Sequence, residues 1–492
     1  MEDLQRLLVN EHGLSVSVLP EKGRCLFTTQ DFSPGEVILS EEPYVSVPDK
    51  ISRESRCDEC HTESRCDWCF TSSNIKKCSS CHLVWYCGTT CQKSDWKMHR
   101  LECKLLAKLD KNRIRSYTPV IRLMVKLYLR RKLQNEKVIP TTAMDNYNLV
   151  KELVSHITKV EETELVLYAE MANFVNVILQ WPDLNFKEVT ENFSKIAINA
   201  HTIYDIELQP LGTGLYPVLS IVNHSCVPNS SIFFEGRIAT LRAMQQIPKG
   251  TELSISYRET EGSTLRRVTA LKEQFFFTCS CPRCIKLGQY DDIKESAILE
   301  GYRCKNLKCD GFLLLDPESR GYKCQQCKLV RDLKEIFKIT GEVKELSDKA
   351  SAALSSFGHT KETLKKYLKV EKLQMTLCHS YSINLFRTRE TISEILMLLQ
   401  DWKQELAYCK ILIPVCERIY PKVHPIRGML YYTRGRLEWE LGCAEEAVIS
   451  LEQAVDILGI THGMNSPFVK DLIGKLEEAR VEASYKLLSM DD

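Results

Sequence analysis

Twenty-two cysteines in 492 residues constrain this chain more than any other feature. At about 4.5% they are too dilute for a small secreted disulfide scaffold. Eighteen of them fall between Cys25 and Cys327, most as pairs two or three residues apart. In a reducing compartment such clusters read as zinc ligands rather than disulfides. The remaining four, Cys378, Cys409, Cys416 and Cys443, sit in helical-looking sequence and read as buried core thiols. Zinc takes four soft or borderline ligands in a tetrahedron, and a short C-x2-C turn supplies two of them. The first block holds Cys66-x2-Cys69, Cys78-x2-Cys81, Cys87-x3-Cys91 and His99-x3-Cys103, eight ligands and so two ions. Cys279-x-Cys281-x2-Cys284 is one ligand short of a site. Cys304-x4-Cys309 with Cys324-x2-Cys327 makes a ribbon-like site of its own. With every position filled by protein, such sites are structural.

The ligand order of the first block and its Trp85-Tyr86-Cys87 resemble the MYND zinc finger. By that resemblance the pairs interleave: Cys66, Cys69, Cys87 and Cys91 take one ion, Cys78, Cys81, His99 and Cys103 the other. Arg56-Cys57-Asp58-Glu59-Cys60 duplicates Arg65-Cys66-Asp67-Trp68-Cys69, and only one of these pairs can complete the first site. Cys66/Cys69 leaves eight residues before Cys78, normal for such fingers, whereas Cys60 leaves seventeen, so Cys66/Cys69 is the expected pair.

Length argues for about three domains. Hydrophobic residues at 44% and charged residues at 27% exclude a largely disordered chain, and a net charge of +1 excludes a bulk polycation. No apolar run approaches the ~18 residues of a membrane span. The acidic start, Met1 to Gln5, lacks a signal core, so an intracellular protein is expected. Residues 15–48 read as short strands around a Pro34-Gly35-Glu36 turn. From 104 to about 195 the pattern is helical: Val120, Leu123, Leu127, then Leu165, Tyr168, Met171, Val175 and Ile178 recur at helical spacing. Strands return over 213–257, and from 333 the chain is helical. Gln404-Glu405-Leu406-Ala407 and Glu445-Glu446-Ala447-Val448 lie about 41 residues apart, each followed by a helical stretch and a proline (Pro425, Pro467), the pattern of tetratricopeptide hairpins. Between Lys104 and Lys137 eleven basic residues face two acidic ones. Their spacing predicts a solvated helix face; binding to nucleic acid stays open.

The most distinctive string is Gly214 to Asn229, with Asn223-His224-Ser225-Cys226-Val227-Pro228-Asn229 at its end. A serine nucleophile is not expected, because the G-x-S-x-G elbow is absent. The string resembles the N-H-S-C-x-P-N motif of SET-domain protein methyltransferases, specifically the SET-and-MYND (SMYD) family and its plant-type members. Lys22-Gly23-Arg24, Asn199-Ala200-His201, Ser254-Ile255-Ser256-Tyr257 and Phe277-Thr278-Cys279 follow that family's order, and His424-Pro425-Ile426-Arg427-Gly428 fits its helical tail.

The resemblance implies an α+β fold: a split SET β-fold with an inserted MYND zinc finger and helical insert, a cysteine-rich post-SET region, and a C-terminal all-α tetratricopeptide-like domain. The expected divisions are the SET amino-terminal part at 1–56, finger at 57–103, helical insert at 104–195, SET core at 196–277, post-SET region and extra ribbon at 278–332, and helical domain at 333–492. It also implies an S-adenosylmethionine-dependent protein-lysine N-methyltransferase acting on histone tails or other proteins. Tyr257 would be catalytic and touch the cofactor. Lys22, Gly23, Arg24, Asn199, Asn223, His224 and Phe277 would bind cofactor, and His201 and Phe275 would line the lysine channel. Cys226 would complete Cys279, Cys281 and Cys284, giving about four zinc ions. Cys25 stands where many relatives have a second glycine, and His201 and Phe275 replace a channel Phe and Tyr, which leaves the number of methyl groups transferred open. Expected partners are protein substrates and proline-rich peptides at the finger, with no membrane; a monomeric chromatin regulator in nucleus and cytoplasm is expected. The alternative is an adaptor whose SET fold is catalytically idle.

Overall fold

β1 (Leu14–Leu19) and β2 (Gly23–Thr28) pair antiparallel residue for residue, from Leu14 opposite Thr28 to Leu19 opposite Gly23. Gly23 enters β2 at φ 72°, a left-handed conformation that costs glycine nothing. The computed structural model describes residues 2–49, 64–306, 308–316, 318 and 321–490. They form two compact units: 1–224 with 228–255 and 274–276, and 225–227 with 256–273 and 277–492. The Cys57/Cys60 pair lies outside the described residues.

In the first unit, α1 (Glu2–His12) precedes β1. The expected turn after Asp31 is present, with Glu36 N–H bonded to the Ser33 carbonyl, and leads into β3 (Val37–Glu41) and β4 (Val45–Pro48). The finger contributes β5 (Lys76–Lys77), β6 (Trp85–Tyr86) and α2 (Thr89–Leu106). The insert contributes α3 (Lys111–Ser116), α4 (Pro119–Asn135), α5 (Tyr147–Lys151), α6 (Glu162–Leu179) and α7 (Phe186–Asn199). Next come β7 (Ala200–Tyr204), β8 (Pro210–Leu215), β9 (Asn223–His224), β10 (Ser230–Glu235), β11 (Ile238–Ala243) and β12 (Ser254–Ile255). Small sheets result: β10-β11-β3, β4-β8-β7, and the parallel pair β9-β12. One apolar core runs from Tyr44 and Val45 through Leu123, Met124 and Leu127 of α4 to Val175 and Phe193, and on into the finger through Leu83, Val84 and Met98. The finger is therefore packed on the insert rather than tethered to it.

In the second unit the carboxyl-terminal part of the expected pattern holds in detail. It carries most of α8 (Thr264–Phe275), then α9 (Tyr290–Leu299), and a ribbon of β13 (Leu313–Asp316), β14 (Gly321–Cys324) and β15 (Val330–Asp332). Helix α9 lies inside the stretch read only as cysteine-rich; its acidic first turn (Asp291, Asp292) and buried Ile298 and Leu299 are the helical signal that the cysteines outweighed. The helices α10 (Leu333–Phe357), α11 (Lys361–Leu377), α12 (Ile383–Leu398), α13 (Trp402–Ile419), α14 (Pro425–Glu440), α15 (Ala444–Leu458) and α16 (Pro467–Met490) each pack on the next. The two similar segments open α13 and α15, and Pro425 and Pro467 begin the return helices, where a missing N–H costs least. Gly435 lets α14 approach α15: a Cβ there would stand 2.7 Å from Leu451.

Candidate active site and metal centres

Three of the C-x2-C turns among the described residues are built the same way. Phe70, His82 and Lys328, the residues directly after Cys69, Cys81 and Cys327, take positive φ, and their N–H groups bond to the carbonyls of Cys66, Cys78 and Cys324. This knuckle aims both thiols to one side. The thiols of Cys66, Cys69, Cys87 and Cys91 converge within 4.8 Å, as do the ligand atoms of Cys78, Cys81, His99 and Cys103, of Cys226, Cys279, Cys281 and Cys284, and of Cys304, Cys309, Cys324 and Cys327. Sulfur separations of 3.6 Å (Cys69–Cys87), 3.4 Å (Cys87–Cys91), 3.8 Å (Cys78–Cys103), 3.5 Å (Cys226–Cys284) and 3.7 Å (Cys309–Cys324) lie near the ~3.8 Å edge of a tetrahedron with a Zn–S bond of about 2.3 Å. They are far longer than a disulfide bond of about 2.05 Å. The sixteen expected ligands thus fall into the four expected sets, and each set fits zinc. Metal analysis of the pure chain should find four zinc ions; three would remove the ribbon site, and one or none would overturn the zinc assignment.

Around the finger the structure shows partners that spacing does not reveal. His99 places Nε2 3.8 Å from Cys81 Sγ, and Nδ1 3.4 Å from Glu102 Oε2. Such a carboxylate behind a ligand histidine fixes its ring orientation. Arg122 of α4, 1% exposed, donates to both oxygens of Glu102 at 2.6 and 3.0 Å and ion-pairs with Asp67 at 2.5 Å. Against the desolvation of full burial, Arg122 holds the Glu102 carboxyl well below its ordinary range. Asp67 lies between Cys66 and Cys69, and Glu102 between His99 and Cys103, so one buried guanidinium braces both zinc groups of the finger. The reading of 104–137 as a solvated face holds for Lys104, Lys108, Arg113, Arg115, Lys132 and Lys137, which are exposed, and fails at four positions: Arg122 and Lys126 are buried, and Arg130 and Arg131 pair with Asp145 and Glu188. A second tie runs to the β10–β11 turn, where Arg237 stacks over Trp68 at 3.5 Å from the ring centre and pairs with Glu42.

At the loop between β1 and β2, Lys22 Nζ meets Glu252 Oε2 at 2.6 Å, and the other Glu252 oxygen accepts from Asn223 Nδ2 at 3.1 Å. Parallel pairing of Ser254 with Asn223 and Ile255 with His224 places these segments side by side. The Arg24 guanidinium holds the Glu152 carbonyl at 2.7 Å, and the Asn199 amide holds that of Val154 at 2.8 Å. In the second unit Tyr257 and Phe277 meet edge to face, ring centres 6.3 Å apart. Sequence reasoning missed Glu252; the signal available was its place two residues ahead of the strand that pairs with Asn223.

A family model for the SET domain matches residues 23–258. Over 490 residues the chain is 53% identical to the histone-lysine N-methyltransferase ASHR1 of Arabidopsis thaliana, with 100% of both chains covered. It is 27% identical to the N-lysine methyltransferase SMYD2 of Gallus gallus over 95% of this chain and 98% of that one. This chain belongs to the SET-and-MYND family.

In this SET-and-MYND chain the approach to Asn223-His224 is held by a buried acid. Glu41, at the end of β3, accepts the N–H groups of Val218 at 3.0 Å and Leu219 at 2.8 Å, capping the short turn before the motif. Desolvation outweighs these two bonds and raises its carboxyl to about 8. The folded state therefore binds this proton more tightly than the unfolded chain does. Glu41's contribution to stability is full below about pH 4.5 and lost as pH rises through about 8. Melting curves from about pH 5 to about pH 9 should show a decline that Glu41→Gln flattens; an equal decline in both proteins would refute it. Of the two positions expected to line a lysine channel, Phe275 is buried, and His201 packs edge-on against Tyr216 at 6.0 Å. Desolvation lowers the His201 ring to about 4, so it is uncharged at neutral pH.

Proposed function

We infer that this chain transfers methyl groups from S-adenosylmethionine to lysine side chains of proteins. The observation that carries this is the full-length likeness to a histone-lysine methyltransferase, with Asn223, His224 and Tyr257 kept in the motif order. S-adenosylmethionine supplies an electrophilic methyl on a sulfonium. A free lysine, with a pKa near 10.4, must arrive as the neutral amine. An apolar channel bearing Phe275 and an uncharged His201 disfavours the ammonium by desolvation and leaves an acceptor for the amine. Tyr257 orients the amine in line with the methyl, and alignment of this kind lowers the barrier without covalent help.

Lys22, Gly23 and Arg24 serve the amino-acid end of the cofactor, Asn199, Asn223 and His224 its polar groups, and Phe277 packs on the adenine. The zinc groups, each filled by four protein ligands, hold the loops and take no part in the chemistry. Histone tails are the proposed substrates, other proteins a further class. Proline-rich segments are the proposed partners of the finger, and a monomer in nucleus and cytoplasm, acting on chromatin, is the proposed setting. Retention of Tyr257 and the Asn223-His224 pair favours the enzyme over an idle adaptor. Calorimetry tests this: one S-adenosylmethionine site per chain is expected, and no measurable heat of binding would leave the adaptor reading.

A further inference from the structure

Three acceptors surround the side-chain nitrogen of Asn223: Cys25 Sγ at 3.0 Å, Glu252 Oε1 at 3.1 Å and the Arg24 carbonyl at 3.2 Å. A primary amide carries donors on nitrogen and lone pairs on oxygen, so a cluster of acceptors decides which way it faces. Here it turns Nδ2 toward Glu252 and Oδ1 away from it. Glu252 itself has little freedom. The Asn229 amide brackets it, donating to the Glu252 carbonyl at 2.9 Å and accepting from Ser254 N–H at 2.9 Å, and Leu253 N–H bonds to the Leu26 carbonyl. Its second oxygen holds Lys22 Nζ at 2.6 Å, with the carboxylate 20% exposed.

One fixed carboxylate therefore governs two groups of opposite character, an amide oxygen that accepts and an ammonium that donates. That is the complement of an α-amino acid, which carries an ammonium and a carboxylate on one carbon. We propose that Glu252 is a positioning residue for the amino-acid end of S-adenosylmethionine, turning Asn223 Oδ1 toward the α-ammonium and holding Lys22 for the α-carboxylate. The proposal rests on the methyltransferase reading and adds to it a residue outside the cofactor motifs. A glutamine at 252 keeps the shape but brings its own N–H groups against Lys22 or Asn223, so the pair loses its common acceptor.

The experiment compares two ligands on the full-length zinc-loaded chain. S-adenosylmethionine has the amino-acid end; 5′-methylthioadenosine has the same nucleoside and sulfur without it. In Glu252→Gln and Glu252→Ala the dissociation constant for S-adenosylmethionine should rise roughly tenfold or more, the scale of a lost charge-assisted contact. That for 5′-methylthioadenosine should stay within about twofold, and saturating cofactor should restore most of kcat. Equal weakening of both ligands would show a purely structural role and overturn the proposal, as would wild-type affinity for S-adenosylmethionine in both variants. A wild type that binds 5′-methylthioadenosine but no S-adenosylmethionine would overturn the methyltransferase reading itself, and is distinguishable from either result.

Discussion

Tyr257→Phe should lower kcat by on the order of a hundredfold while cofactor affinity changes by no more than about twofold. The phenol oxygen is the group proposed to orient the lysine amine and the transferring methyl, an interaction made mainly in the transition state. Its loss reads out in turnover rather than in binding. The ring remains, and with it the edge-to-face packing on Phe277 at 6.3 Å. Asn223→Ala should show the opposite pattern, weakening cofactor binding first. Rapid-quench turnover and equilibrium binding on the same preparations separate the two effects. A Tyr257→Phe variant at the wild-type rate would remove Tyr257 from the chemistry.

The second large effect is expected far from that tyrosine. Arg122→Met should strip zinc from both groups of the finger and leave about two ions per chain where about four are expected in the wild type. Removing the guanidinium leaves Glu102 and Asp67 buried without their cation, and an uncompensated buried charge costs about 3–5 kcal/mol. Glu102 then loses its hold on the His99 ring, and Asp67 its anchor beside Cys66 and Cys69. Metal analysis together with a melting curve checks this. Retention of four ions at the wild-type melting temperature would show that the brace is dispensable. Arg122→Lys, which keeps the charge without the fork, should fall between the two.

Local pattern carried much of the fold into view. The C-x2-C registers, the turn at Pro34-Gly35-Glu36, the apolar spacing of α4 and α6, and the paired helix starts ahead of Pro425 and Pro467 all depend on residues within a turn or two of each other. Cys226 was legible by resemblance alone, because its partners lie more than fifty residues onward. What the sequence hid was long-range polar pairing. Lys22 and Glu252 stand 230 positions apart, and Glu41 caps Val218 from 177 positions away. Nothing in the local composition around Arg122 says that its acids will come from one C-x2-C knuckle and from the ligand-bearing helix α2. A count of basic residues over 104–137 likewise cannot tell a lysine in water from an arginine sealed between carboxylates. Helix α9 was hidden for a different reason, since flanking cysteines made the whole region read as metal-binding loops.

The direct test of the account is transfer of labelled methyl from S-adenosylmethionine to recombinant core histones by the full-length zinc-loaded chain, with the label located by amino-acid analysis of the product. Label is expected in methylated lysine, present with the wild type and nearly absent with Tyr257→Phe. Label in any other residue, or none in histones or a broad protein array despite cofactor binding, would contradict it.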